Sequence, residues 1–248
     1  MKLVLLEILR SPRIKARLSI SEENNQPGEI NNGYLINSKN NKKYPIINGI
    51  PRFVNLDNYA NNFGFQWNYF QKTQLDSYSG HAISNERFYN STNWDKRKLK
   101  NKWVLDIGCG SGRFAEVALE AGANLVALDY SDSVDAALKN LGSYDNFHIL
   151  QGDIYNLPFK KESFDYVYSL GVLQHTPDVK NALLSIPYCI KPKGKICVDF
   201  YEKSFASYFH AKYLLRPVLK KIPGKSLFSI LKIIIKPLLI LSNAVGMI

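Results

Sequence analysis

The stretch Lys102-Trp103-Val104-Leu105-Asp106-Ile107-Gly108-Cys109-Gly110-Ser111-Gly112-Arg113-Phe114-Ala115 leaves the fold few choices. Its apolar run, Trp103 to Leu105, has the length and composition of a buried strand. Asp106 and three alternating glycines follow, and then Phe114, Val117, Ala118 and Leu119 recur at helical spacing. A strand, a glycine turn and a helix N-terminus together let the backbone approach a ligand closely. Glycine permits this because it lacks a Cβ and tolerates positive φ, and the free N–H groups of a helix start favour anionic groups.

The spacing narrows the ligand. It is Asp-x-Gly-x-Gly-x-Gly, whereas the dinucleotide fingerprint is Gly-x-Gly-x-x-Gly, and Arg113 stands where that pattern has its third glycine. A carboxylate at position 106 repels a phosphate but accepts hydrogen bonds from an ammonium group. A ligand with an amino-acid end therefore fits better than a nucleotide diphosphate. Three further apolar runs end in polar residues: Asn124 to Asp129, Phe147 to Leu150 before Gln151-Gly152-Asp153, and Phe164 to Ser169 before Leu170-Gly171-Val172-Leu173-Gln174-His175. In an open α/β sheet, ligands bind outside the carboxyl ends of such strands. A fifth run, Lys195 to Phe200, follows the turn Lys191-Pro192-Lys193-Gly194.

Val104 to Gly112 resembles the first motif of class I S-adenosylmethionine-dependent methyltransferases, of the type 11 domain kind, and the later motifs come in that family's order. The resemblance implies a Rossmann-like α/β core, mostly a parallel sheet with helices on both faces, and S-adenosyl-L-methionine as cofactor. It assigns the cofactor to Asp106, Gly108, Cys109, Gly110 and Gly112 in the first turn. Asp129 and Tyr130 follow on the second strand, Asp153 and Ile154 on the third, and Leu170 on the fourth. Asp129, about 20 residues past the first glycines, is suited to accept both ribose hydroxyls, or else to cap the following helix. Asp153 resembles the family's acid that accepts the adenine amino group, with Ile154 on the ring; the other reading is a Gly-Asp turn. His175 is the candidate general base, because its intrinsic pKa lies near neutrality, or else it structures its loop. No metal is expected.

The flanks divide into further units. Residues 1–56 resemble the small zinc-ribbon, Trm112-like module that precedes some bacterial methyltransferases, ending in Tyr44-Pro45-Ile46-Ile47-Asn48-Gly49-Ile50-Pro51. Asn48-Gly49 predicts a two-residue hairpin turn, and the two prolines mark edge-like strand ends. The positions matching the module's cysteines are Ser11, Ile14, Asn37 and Asn40, so the usual zinc site cannot form. Asn24 to Lys43 reads as mobile loops. Met1 to Leu9 reads as the start of a folded domain, since Glu7 interrupts the apolar run. Residues 57–100 form an aromatic-rich helical cap. Either its rings fill a gap over the core, or Phe63-Gly64-Phe65-Gln66-Trp67 and Gln71 to Ser79 line the cleft as a lid. The core is 101–202.

Residues 203–248 carry eight lysines and arginines and no acid among leucines and isoleucines. This is a basic amphipathic helical tail suited to peripheral contact with a membrane, or to packing against the protein or a partner. Nothing after Phe200 alternates like the last two strands of the family's sheet, so the chain reads as a truncated member with an open sheet edge and part of its acceptor pocket missing.

The 248 residues, 46% hydrophobic and 21% charged, suit a globular protein, and the net charge of +11 points to an anionic partner. Three scattered cysteines suit a reducing cytoplasm, with the inner face of the membrane as the tail's destination. The sequence reads as a methyltransferase for a small-molecule, glycan-precursor or lipid-linked acceptor, by O- or C-methylation. An RNA methyltransferase and a catalytically inactive binder of the cofactor remain as alternatives. Nucleic acid is the less favoured partner, because no Asn-Pro-Pro-Tyr-type motif follows the fourth strand.

Overall fold

The computed structural model describes residues 1–22, 25–26, 28–55, 58, 60–200, 222 and 224–244. Contacts divide the chain into one unit over Met1–Tyr201 and another over Glu202–Ile248. Tyr59 of the aromatic cap and the basic residues Lys203, Lys212, Arg216, Lys220 and Lys221 of the tail lie outside the described residues.

The first unit is built on a five-stranded parallel sheet: β7 (Trp103–Ile107), β8 (Asn124–Asp129), β9 (Phe147–Gln151), β10 (Phe164–Ser169) and β11 (Ile190–Val198). Their order is β11-β10-β7-β8-β9. Helices α4 (Arg113–Glu120), α5 (Ser133–Leu141) and α6 (Val179–Ser185) connect them. Parallel strands point successive side chains to opposite faces. Val104, Leu125, Ala127, Phe147 and Ile149 accordingly join one core with α4 and α5, while Leu105, Ile107, Val126, Leu128 and Leu150 join another. Both faces are apolar, as a parallel sheet requires.

The first face also packs against α3 (Ile83–Thr92) through Phe88, with Trp94 beside it. The second is covered by α6 and by a separate antiparallel sheet of β1 (Leu18–Glu22), β4 (Gly33–Asn37), β5 (Lys43–Ile47) and β6 (Ile50–Pro51). A two-residue ribbon, β2 (Asn25–Gln26) with β3 (Glu29–Ile30), lies between. Leu5, Leu9, Ile30, Leu35 and Ile46 are buried in the core that holds Leu105, Val126 and Leu150. Main-chain bonds fasten the junction: Arg10 N–H to Pro158 O, Lys160 N–H to Ile8 O, and Phe53 N–H to Gln151 O, each 2.8 Å. The buried Arg52 guanidinium donates to Gln151 Oε1 and Asp135 Oδ1, so one side chain ties the end of β6 to β9 and α5.

The Asn48-Gly49 turn forms as expected, with both residues at positive φ and Ile47 opposite Ile50. Three expectations need correction. Pro45 lies in β5, which is paired on both sides rather than at an edge. Its carbonyl accepts from Arg52 N–H just beyond the two-residue β6, so its missing donor falls where the ladder ends. Asn24–Lys43 contains β4, a central strand, and is not simply loop. Lys191–Gly194 does not precede the fifth strand but bulges within it, between Ile190 opposite Phe164 and Lys195 opposite Tyr166.

Local hydrogen bonds hold the turns at Ser11, Asn37 and Asn40. Ser11 Oγ accepts from Ala16 N–H, Asn37 Oδ1 from Lys39 N–H and Asn40 Oδ1 from Lys42 N–H. Ser38 N–H donates to Arg17 O, joining the two turns. Among the described residues, no group of three or more His, Cys, Asp or Glu side chains is placed to hold a metal. No strand follows Val198 among the described residues. The second unit contributes α7 (Gly224–Ala244), and no described helix is long and apolar enough to cross a membrane.

His148, the second residue of β9, stacks on Trp103 with ring centroids 5.5 Å apart. Burial, together with the charges of Lys2 and the amino terminus, lowers its pKa from 6.5 to about 4. The unfolded chain therefore binds a proton near pH 6.5 that the folded chain refuses until about pH 4, and stability is lost as pH falls through that window. The expected outcome is a melting temperature that declines from pH 6.5 to 4. His148→Phe, which keeps the stack, should remove that part of the slope; an unchanged pH profile in the variant would contradict this.

Candidate active site

The carboxyl ends of β7, β8, β9 and β10 open into a cavity of about 380 Å³. That is within the roughly 300–1,000 Å³ usual for small-molecule sites. Its floor and sides are Ile107 to Ser111, Leu128 to Tyr130, Gly152, Ile154 and Leu170 to Val172, and His175 and Thr176 stand at one side. The cap supplies the rest. Phe63, Gln66 and Trp67 from α1 (Asn61–Tyr69), Gln74 and Arg87 line the same space. Within the cap, Phe88 and Trp94 lie in the core, while Phe63, Gln66, Trp67 and Gln74 line the cavity.

Gly108, Cys109, Gly110, Asp129, Tyr130, Ile154, Leu170 and His175 thus meet in one cavity. Asp129 is pinned at its rim: Oδ2 accepts from Gly110 N–H at 2.9 Å, and Oδ1 accepts from Ser131 N–H and Oγ. These bonds use three of roughly four acceptor positions of a carboxylate. Acceptance of two ribose hydroxyls would therefore require one of them to be exchanged. His175 is exposed, in a 3-10 turn (Leu173–His175), with its ring 5.5 Å from that of Phe63.

Three predicted residues do not line the cavity. Gly112 begins α4 at φ 101°, where a Cβ would sit 2.6 Å from Leu141 Cδ1, so it serves the packing of α4 on α5. Asp153 is adjacent to lining residues, but its oxygens accept from Tyr155 N–H and Asn156 Nδ2, capping the turn Ile154–Asn156. Asp106 is buried beneath the glycine turn, and its Oδ2 has no hydrogen-bond partner of ordinary geometry. A buried carboxylate oxygen left so is what an incoming cationic group would satisfy.

Sequence reading missed Arg87. It lies over the Phe114 ring, 5.4 Å from the centroid, and pairs with Asp199 at 3.1 Å. Asp199 also accepts from Gly171 N–H. Arg113 lies over the same ring at 4.9 Å and donates to Ser84 Oγ. Two guanidiniums thus border the cavity where a carboxylate is matched. The partners of Arg87 come from segments far apart in sequence, and no local spacing announces them.

The fold is a Rossmann-like α/β core whose cavity lies outside the carboxyl ends of the strands, where open α/β sheets bind ligands. Residues 105–198 match the model of the methyltransferase domain family. That match places a methyltransferase domain within the parallel sheet, from β7 to the end of β11. The chain is similar to the ubiquinone biosynthesis O-methyltransferases of Hydrogenovibrio crunogenus (26% identity over 51% of this chain and 54% of that one) and Coxiella burnetii (31% over 45% and 49%). The chain spans about half the length of these curated relatives. A solved structure of Haemonchus contortus phosphoethanolamine N-methyltransferase 1, with phosphoethanolamine and S-adenosylhomocysteine, is similar at a TM-score of 0.44 and 22% identity over 55% of this chain and 31% of that one.

Gly64 is where the cap meets the core. A methyl there would land on Asp132 Oδ1, which lies at the start of α5, and Asn68 Nδ2 bridges Gly64 O and Asp132 O. Overpacking of this kind costs about 1–3 kcal/mol. Gly64→Ala should lower thermal stability and weaken S-adenosylhomocysteine binding, and adding Asp132→Ala should restore much of both. Additive losses in the double variant, measured by calorimetry, would remove this contact as the cause.

Proposed function

We propose that the protein transfers a methyl group from S-adenosyl-L-methionine to a small-molecule or lipid-linked acceptor, by O- or C-methylation. The observation that carries the reading is the convergence of Gly108, Gly110, Asp129, Ile154 and Leu170 on one cavity, with the unsatisfied Asp106 oxygen beneath it. The residues fit the cofactor by type. Asp129 suits a ribose hydroxyl, Ile154 and Leu170 an adenine ring, Asp106 an ammonium, and Arg87 with Arg113 a carboxylate. When bound, S-adenosylmethionine supplies an electrophilic methyl group on a sulfonium. The protein's own contribution is chiefly to hold an acceptor in line. Trp67 and Phe63 exclude water from the cap side. His175 stands at the cavity edge, where it can take the proton of an oxygen acceptor.

The names of the similar proteins, ubiquinone biosynthesis O-methyltransferases, support an acceptor that is small and apolar. The tail supports a membrane source for it. Ile230, Leu231, Ile233, Ile234 and Ile235 of α7 are exposed, and Lys232 lies over the Phe228 ring. Basic amphipathic helices of this composition lie in the headgroup region of anionic bilayers. The full chain should co-sediment with phosphatidylglycerol vesicles and much less with phosphatidylcholine vesicles; equal binding to both, or to neither, would contradict this.

Asp129→Ala should weaken S-adenosylhomocysteine binding by about 1–3 kcal/mol, the usual result of leaving a polar group unpaired. Unchanged affinity by titration calorimetry would remove Asp129 from the site. His175→Ala should lower kcat on a demethylquinone-type phenol about 10²-fold or more while leaving cofactor affinity intact. Tight cofactor binding with no turnover on any phenolic acceptor would favour the non-catalytic alternative.

A further inference from the structure

An ionised carboxyl inside a protein needs a cation or several donors, because burial strips its water. Asp106 has neither. It is 3% exposed, and no ion pair among the described residues includes it. On β7 it points to the helix-covered face, with Tyr168 of β10 in register on one side and Ala127 of β8 on the other. Tyr168 is fully buried. Its hydroxyl, like Asp106 Oδ2, makes no hydrogen bond of ordinary geometry. The other titratable groups that face the pair are Cys109 from the glycine turn, Asp129 from the end of β8, and Tyr89 from α3 behind Tyr168. None is a cation.

We propose that Asp106 and Tyr168 form a proton-linked seat for the ammonium end of the methyl donor, in which Asp106 is a neutral acid before binding and releases its proton to solvent as the cation arrives. Tyr168 is a positioning residue: its hydroxyl turns toward the carboxylate once that group is charged, and it favours the charged form without touching the ligand. This rests on the reading that the cavity binds S-adenosylmethionine with its amino-acid end above Asp106. Burial pushes the Asp106 carboxyl up to about 8; the Tyr168 hydroxyl opposes the rise and the Asp129 charge adds to it. The same burial places the Tyr168 phenol well above its ordinary range, so it stays a donor at all working pH values.

The test is titration calorimetry of S-adenosylhomocysteine into the full chain, from pH 6 to 9, in pairs of buffers with different ionisation enthalpies. Most of one proton should leave per ligand at pH 7, and almost none near pH 9. The Kd should fall about tenfold per pH unit between pH 6 and 7.5. Methylthioadenosine, which lacks the amino-acid end, should bind without releasing a proton. Asp106→Asn should abolish both the release and the pH slope. Tyr168→Phe should keep the release but move its midpoint to higher pH, whereas a merely structural role would weaken binding equally at every pH. If Asp106→Asn fails to fold, the wild-type profile and Tyr168→Phe decide the matter. Binding of S-adenosylhomocysteine without proton exchange overturns this proposal alone. Equal release with methylthioadenosine also overturns it, because the proton then belongs to another group. No binding at all overturns the assignment of the cavity as well.

Discussion

The structure depends on burying both faces of a five-stranded parallel sheet. Such a sheet has no wet side, and its strands are apolar at every position from Val104 to Ile107 except Asp106. Helices α3, α4 and α5 cover one face, but only α6 is available from the connections of the parallel sheet to cover the other. The N-terminal sheet completes that cover. Its hold on the parallel sheet is apolar contact first, and hydrogen bonds at Arg10, Arg52, Phe53 and Lys160 fix its position. At its turns, Ser11, Asn37 and Asn40 accept from main-chain N–H groups.

Much of this was legible because it is local. The apolar runs and the polar residues that end them placed β7 to β10 closely, and Asn48-Gly49 placed the hairpin. The same locality explains the errors. Lys191-Pro192-Lys193-Gly194 has turn composition, and only the pairing of both its flanks with β10 makes it a bulge. Pro45 looks like an edge residue until the length of β6 is known. That the N-terminal segment shares a core with the parallel sheet depends on contacts between residues over 90 positions apart, such as Leu9 with Phe159, which no periodicity reports.

The candidate site follows the same division. Gly108, Gly110 and Asp129 could be picked by motif because the turn must be built from them. Gly112 belongs to the same motif but serves helix packing, and sequence alone cannot separate the two tasks. Arg87 was not legible, since its position depends on Phe114 and on Asp199, 112 residues away. The three acids singled out from sequence also prove unlike one another. Asp129 is held at the rim by donors, Asp153 is absorbed in a turn, and Asp106 lies deep with an oxygen unsatisfied.

The shared core has a consequence for how the molecule can be divided. A construction that began at residue 57 would keep every motif of the methyltransferase domain and yet strip the cover from Leu105, Val126, Leu128 and Leu150 at once. Genetic modularity and energetic independence are different properties. By its contacts this front segment is one layer of a sandwich, and the core it shares with the parallel sheet has no dry interior without it.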